Sequence, residues 1–186
     1  MSLLIAGLLI FTIVHLLPAA APDVRTRLVG QMGENAYRGV FSIVIVASLV
    51  ILVFGWKAAV PTGVYSPPVA GGPVISALVF FAFVLFVASK ARTNYKRFIR
   101  HPQMVAVILW SVAHLLVNGD SRSLVLFGGL GIWAVLEIVL CNRRDGEREK
   151  PDVVPFSADM IVAIIAGAAF FAIFYLHKAL FGVLPY

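Results

Sequence analysis

A small set of ionisable side chains lies inside, or at the start of, long apolar stretches of this sequence. The set consists of His15, His101, His114, Glu137 and His177. A charge at the centre of a bilayer costs roughly 2.5 kcal/mol or more, so residues of this kind are functional candidates by default. Neutral imidazole is a frequent metal ligand and a common axial ligand of haem. The histidines therefore predict metal or haem chemistry, provided that the elements carrying them bring them together.

The composition identifies the surroundings of those elements. Of the 186 residues, 61% are hydrophobic and 13% are charged, whereas soluble proteins average about 25% charged residues. This difference excludes a water-soluble globule. Cys141 is the single cysteine, which excludes an internal disulfide and also the paired cysteines of covalent haem attachment.

Six apolar segments are long enough to cross a bilayer, which takes roughly 20 helical residues. They do not alternate as the strands of a membrane barrel would. The sequence therefore predicts an all-α, polytopic bundle of six transmembrane helices in a single domain, 1–186. We take the first segment as a retained span and not as a signal peptide, because no basic residue precedes it. The predicted spans are 2–21, 38–60, 72–89, 103–118, 123–141 and 158–184.

The basic residues predict an orientation. Three of the fifteen, Lys57, Arg122 and Lys178, fall on one side of the predicted spans, and the other twelve lie in the three loops of the opposite side. Because basic loops stay in the cytoplasm, both termini are expected outside, in the periplasm. The positive charge then reflects topology and contact with the lipid bilayer, and it does not indicate nucleic-acid binding. The twelve are Arg25, Arg27, Arg38, Lys90, Arg92, Lys96, Arg97, Arg100, Arg143, Arg144, Arg148 and Lys150.

The fourth span places several polar residues on one face. Gln103, Val107, Ser111, His114 and Asn118 recur at spacings of three and four, which brings them to one side of a helix. For Gln103, Ser111 and Asn118 we favour helix packing through hydrogen bonds, which membrane bundles use. For His114 we favour ligation, because imidazole is an uncommon choice for packing alone.

The remaining candidates each keep two interpretations. His15 is either hydrogen-bonded to a neighbouring helix or a metal ligand. Glu137 either holds the second ring nitrogen of His15, or it is neutral or paired with an arginine such as Arg38. His177 and His101 are expected at opposite membrane interfaces, where polar side chains meet headgroups.

Several motifs of the chain resemble the NnrU family, small bacterial membrane proteins tied to denitrification and nitric-oxide metabolism. The resemblance covers nearly the whole chain. It includes the span of His15 and the closing segment from His177 to Phe181-Gly182-Val183. The motifs are Gly33-Glu34-Asn35-Ala36-Tyr37-Arg38-Gly39, Ala91-Arg92-Thr93-Asn94, Arg100-His101-Pro102-Gln103, Leu109-Trp110-Ser111-Val112-Ala113-His114-Leu115-Leu116 and Asn118-Gly119-Asp120.

The resemblance extends to the core domain of plant and algal 15-cis-zeta-carotene isomerase, a haem b enzyme. It implies a haem b-binding protein of the bacterial inner membrane, with His15 and His114 as iron ligands. Ser111, Trp110 and Glu137 are then candidate pocket residues. That enzyme has a cysteine at the position of Ser111, and because a hard oxygen cannot replace a thiolate on iron, a ligand switch is not implied. The implied substrate is a lipophilic small molecule, such as a polyene, or a diatomic gas.

Three alternatives stay open. At about 1.5 Å of rise per residue, His15 and His114 lie on opposite sides of the membrane midplane, so that His114 and His177 form a competing ligand pair. A cofactor-free factor that assists the assembly or regulation of nitrite and nitric-oxide reductases is the second alternative. The third is an S-adenosylmethionine-dependent membrane methyltransferase, since those enzymes share the tripeptide Arg100-His101-Pro102.

Overall fold

A computed structural model describes residues 1–68 and 71–185, which are almost entirely helical. The predicted all-α class is confirmed. The helices are α1 (Ser2–Ala20), α2 (Pro22–Met32), α3 (Glu34–Ala58), α4 (Pro73–Lys90), α5 (Tyr95–Phe98), α6 (Pro102–Val117), α7 (Ser121–Ser123), a π-helical segment (Leu124–Gly128), α8 (Gly129–Asp145) and α9 (Phe156–Phe181).

Five of these helices are long and apolar enough to cross a membrane: Ser2–Ala20, Glu34–Ala58, Pro73–Lys90, Ser121–Asp145 and Phe156–Phe181. The span Ser121–Asp145 comprises α7, the π-helical segment and α8, which follow one another without a break. A helix also stands at the fourth predicted span, but α6 has 16 residues, about 24 Å at the usual rise. The chain is thus a multi-pass membrane protein with five full-length spans among its described residues and one shorter apolar helix.

The outer surfaces of these helices are apolar, which suits contact with lipid. Ile43, Ile132 and Ile164 are each more than 60% exposed on three different helices. In water, such a continuous apolar surface would be unfavourable. Burial inside a bilayer removes that cost, so the exterior agrees with the composition.

The described chain forms two compact units. The first contains Met1–Tyr65 and Gly119–Gly146, and the second contains the other described residues. The first therefore holds α1, α2, α3 and the run from α7 to α8, with His15 and Glu137. The second holds α4, α5, α6 and α9, with His101, His114 and His177.

The first unit depends on a close approach between α1 and α3. A Cβ atom at Gly7 would lie 2.8 Å from the backbone nitrogen of Leu52, and one at Gly55 would overlap the backbone of Leu4. Small residues allow this kind of backbone contact between membrane helices. The α8 helix also packs on α1, and together these contacts fix the surroundings of His15.

In the second unit, α4 packs on α6 and on α9. Val84 and Ala88 of α4 meet Val162 and Ala166 of α9 in one buried cluster. Ala82 and Leu85 of α4 meet Ala106 of α6 in another. These contacts hold in place the helix that carries His114.

Candidate functional site

His15 lies on the last turns of α1 and is anchored to its own helix. Its Nδ1 lies 3.1 Å from the carbonyl oxygen of Phe11, one turn earlier. A carbonyl oxygen can only accept, so Nδ1 carries the proton and the lone pair of the neutral ring is on Nε2. A ligating histidine is normally oriented in this way, with its other nitrogen held by an oxygen.

Aromatic rings from three helices surround the His15 imidazole. The ring centroid of Phe11 lies 4.1 Å from it, that of Trp133 on α8 lies 5.2 Å away and that of Phe41 on α3 lies 5.7 Å away. Trp133 also meets Phe11 edge to face. His15 therefore has an aromatic environment built by α1, α3 and α8.

Two polar side chains of this aromatic cluster are buried without a partner. The Nε1 of Trp133 and the Oη of Tyr37 have no hydrogen-bond partner among residues 1–68 and 71–185. Trp133 is 5% exposed and Tyr37 is 8% exposed. Tyr37 stands one turn before Phe41, and their ring centroids are 6.2 Å apart.

Glu137, one turn beyond Trp133 on α8, does not receive the Nδ1 proton of His15, which goes to Phe11. Its Oε1 instead accepts a long hydrogen bond of 3.7 Å from the Sγ of Cys141. Arg38, the other partner considered for Glu137, donates to Glu34 at 3.0 Å. Glu137 thus lies near the aromatic cluster, in the same unit as His15.

His114 on α6 repeats the arrangement of His15. Its Nδ1 lies 2.8 Å from the carbonyl oxygen of Trp110, one turn earlier, so its Nδ1 also carries the proton. The two ring centroids are 4.8 Å apart. The side-chain amide of Asn118 donates to the backbone oxygen of His114 at 2.8 Å. This bond lies at the C-terminal turn of α6 itself, whereas the packing interpretation concerned hydrogen bonds between helices.

Ser111 lies one turn before His114 and is 2% exposed. Its Oγ has no hydrogen-bond partner in the described part of the chain. Serine in a membrane helix is expected to bond a neighbouring helix, and Ser111 does not do so here. It is therefore a buried polar atom beside one of the two candidate ligands.

An apolar groove of about 260 Å³ lies between α4 and α6 in the second unit. Trp110, whose ring centroid lies 4.8 Å from that of His114, forms part of its wall. Phe86, on the opposite wall, is 47% exposed. The lining residues are Ala82, Phe83, Phe86, Ala106, Val107 and Trp110.

His177 and His101 occupy different positions in the second unit. The Nδ1 of His177 lies 2.8 Å from the backbone oxygen of Val183, beyond the end of α9. His101 precedes Pro102 at the start of α6, and its backbone oxygen accepts from the nitrogen of Val105 at 3.1 Å.

Within the described residues, no three His, Cys, Asp or Glu side chains gather around a point that could hold a metal ion. The candidate ligands are instead single imidazoles, each held at Nδ1. The sequence missed Tyr37 and Trp133 as polar members of the site around His15. Tyr37 belongs to one of the motifs that carry the family resemblance, and this was the only signal for it.

A comparison with protein-family models gives one relationship that spans the chain. The model described as NnrU protein matches residues 3–185. No curated protein and no solved structure matches the sequence. The resemblance seen in the motifs is thereby confirmed, and the chain belongs to the NnrU family.

Proposed function

We propose that this NnrU-family membrane protein binds haem b through His15 and His114 and serves the redox or gas chemistry of denitrification and nitric-oxide metabolism. One observation supports the proposal most directly: both histidines donate Nδ1 to the carbonyl of the preceding turn. Each imidazole is thereby held in the tautomer that a metal ligand needs.

The residues around both histidines fit such a group. The rings of Phe11, Phe41 and Trp133 offer flat apolar surfaces beside His15, and Trp110 does so beside His114. A bound haem would supply one-electron redox chemistry, at a potential set by its axial ligands and by the polarity of its surroundings. Beside each histidine, the carbonyl oxygen of the preceding turn orients the imidazole.

The apolar groove beside Trp110 supports a lipophilic substrate of the same protein. Its lining lacks any charged side chain, so it suits a hydrocarbon such as a polyene better than a polar metabolite. An isomerase activity of the carotenoid type would act on such a molecule. Ser111 cannot supply the thiolate that the related isomerase has at this position, so any isomerisation here would proceed without a ligand switch.

Absorption spectroscopy of the purified, full-length protein from haem-replete cells tests the proposal. A Soret band, with α and β bands on reduction, is expected. Colourless protein without iron would remove the haem and favour a cofactor-free factor acting through the cytoplasmic loops on nitrite and nitric-oxide reductases.

Alanine variants of the histidines identify the ligands. His15→Ala and His114→Ala are each expected to lose most of the haem per protein, while His101→Ala retains it, because His101 is a helix-start residue. His177→Ala decides between the two pairs, because His177 and His114 belong to the same unit. Loss of haem in His177→Ala with retention in His15→Ala would replace His15 by His177 as the ligand.

We further propose six spans with both termini in the periplasm, so that α6 crosses the bilayer despite its 16 residues. The three basic loops support this orientation. Reporter fusions after Tyr186 and at Gly146 are expected to lie in opposite compartments. A cytoplasmic Tyr186 would overturn the proposed orientation.

A further inference from the structure

Trp133 and Tyr37 each carry a polar atom whose burial in apolar surroundings is energetically unfavourable. Each has a donor buried without a partner among the described residues. A buried unpaired donor costs about 1 to 3 kcal/mol, and native proteins leave very few of them. Two in one aromatic cluster indicate a hydrogen-bond acceptor that is bound there when the protein works.

The two donors belong to one continuous cluster. Trp133 contacts the His15 ring at 5.2 Å between centroids, Phe41 contacts it at 5.7 Å, and Tyr37 contacts Phe41 at 6.2 Å. Every member lies in the first unit and on α1, α3 or α8. The two donor side chains therefore belong to the same group of aromatic rings.

The charges nearby favour a neutral acceptor over an anion. Glu137 lies one turn from Trp133 on α8, and residues at this spacing share a helix face. The carboxylate of Glu137 would repel an anionic ligand. On the Tyr37 side, the guanidinium of Arg25 lies 5.6 Å from the ring, but it already pairs with Glu34 at 3.1 Å.

We propose that the aromatic cluster around His15 binds a neutral, flat, membrane-soluble carbonyl compound of the quinone class, whose oxygens accept from the Tyr37 hydroxyl and the Trp133 indole. The rings of Phe11 and Phe41 pack against the body of the quinone. A hydrocarbon polyene cannot satisfy these donors, because it has no acceptor. The site uses residues of the first unit alone, and it shares Phe11, Phe41 and Trp133 with the surroundings that the haem proposal gives to His15.

The test compares two probes on the detergent-solubilised full chain. Decylubiquinone carries carbonyl oxygens, and decylbenzene has the same tail on a ring without them. Binding to the folded state raises Tm by mass action. Decylubiquinone is expected to raise the Tm of the wild type, and decylbenzene at equal concentration is expected to do so less.

Two variants remove the donors while keeping aromatic rings. Tyr37→Phe and Trp133→Phe are each expected to weaken decylubiquinone binding about fivefold, the value of one neutral hydrogen bond. Decylbenzene binding to Tyr37→Phe should equal that of the wild type. Tyr175→Phe is the matched control, because it removes the same hydroxyl from a ring that is 78% exposed.

Three results would overturn the proposal. Unchanged decylubiquinone binding by Tyr37→Phe would show that its hydroxyl does not contact the ligand. Equal Tm shifts by the two probes would show recognition of apolar surface alone. A ligand-free Tm of Tyr37→Phe well below that of Tyr175→Phe would show that the hydroxyl has a partner inside the protein. Haem content is read separately from absorption, so haem loss and failure of quinone binding are distinguishable.

Discussion

Asp159 in the second unit and Trp133 in the first are both buried polar side chains, but the protein treats them in opposite ways. The Asp159 carboxylate is 8% exposed. It accepts from the Thr93 hydroxyl, from the Asn94 backbone nitrogen at 2.8 Å and from the Asn94 amide at 2.7 Å. Trp133 is buried to a similar degree, and its indole N–H has no hydrogen-bond partner among residues 1–68 and 71–185.

The difference separates architecture from function. A fully hydrogen-bonded buried carboxylate rigidifies its surroundings. Here it joins the first turn of α9, which carries Asp159, to the chain after α4, which supplies the donors. Asn94 extends this network, because its side chain also exchanges two hydrogen bonds with the backbone of Val154. The Asp159 network therefore fastens the loop before α9, whereas the unpartnered donors near His15 are available to a ligand.

Asp159→Ala tests the architectural side of the comparison and has the largest expected effect. It leaves three donors without their acceptor, and hydrogen bonds to charged groups contribute about 1.5 to 3 kcal/mol each. We expect a loss of about 3 kcal/mol in the free energy of unfolding, measured by reversible unfolding in mixed SDS and detergent micelles.

Asp152→Ala is the control for Asp159→Ala, since it removes an exposed carboxylate from the loop that precedes the same helix. Its free energy of unfolding should stay within about 0.5 kcal/mol of the wild type. Equal losses in the two variants would mean that the Asp159 network contributes nothing specific to stability.

The sequence predicts the positions of the helices better than it predicts the polar contacts between them. Long apolar runs decide where helices form in a membrane, because backbone groups must pair within the segment, and for this reason the six predicted segments are all helical. The Asp159 network joins Thr93 and Asn94 to a residue 65 or more positions away, and no periodicity records such a pairing. Its traces in the sequence were an aspartate in the first turn of an apolar helix and the motif Ala91-Arg92-Thr93-Asn94, and neither shows that the two meet.

The histidine sites show the same limit. Hydropathy marks His15 and His114 as exceptional, and both do sit in anchored, aromatic surroundings. The sequence does not show that Nδ1 of His15 goes to Phe11 and not to Glu137, because the choice depends on the rotamer and on helix packing. Trp133 and Tyr37 look like ordinary packing aromatics until their polar atoms are found to be unpaired.

Thr93→Val sharpens the comparison at the level of a single hydroxyl. Valine keeps the shape of threonine, so the change removes the donation to Asp159 and the weaker acceptance, at 3.3 Å, from the Tyr95 backbone nitrogen. Because the acceptor is charged, we expect a loss of about 1.5 kcal/mol in the free energy of unfolding. A double variant with Asp159→Asn should lose less than the sum of the two single changes, since both act on one network.

Ser111→Ala is the counterpart in the region that we assign to function, and it has the smallest expected effect on stability. Ser111 and Thr93 are both 2% exposed, but the Ser111 hydroxyl has no hydrogen-bond partner in the described part of the chain. Deleting it removes an unpaired group and improves helix propensity, so we expect a change within about 0.5 kcal/mol, towards greater stability. The same unfolding measurement applies. A loss as large as that of Thr93→Val would mean that the hydroxyl is bonded inside the folded protein, and Ser111 would then belong with the Asp159 network as architecture.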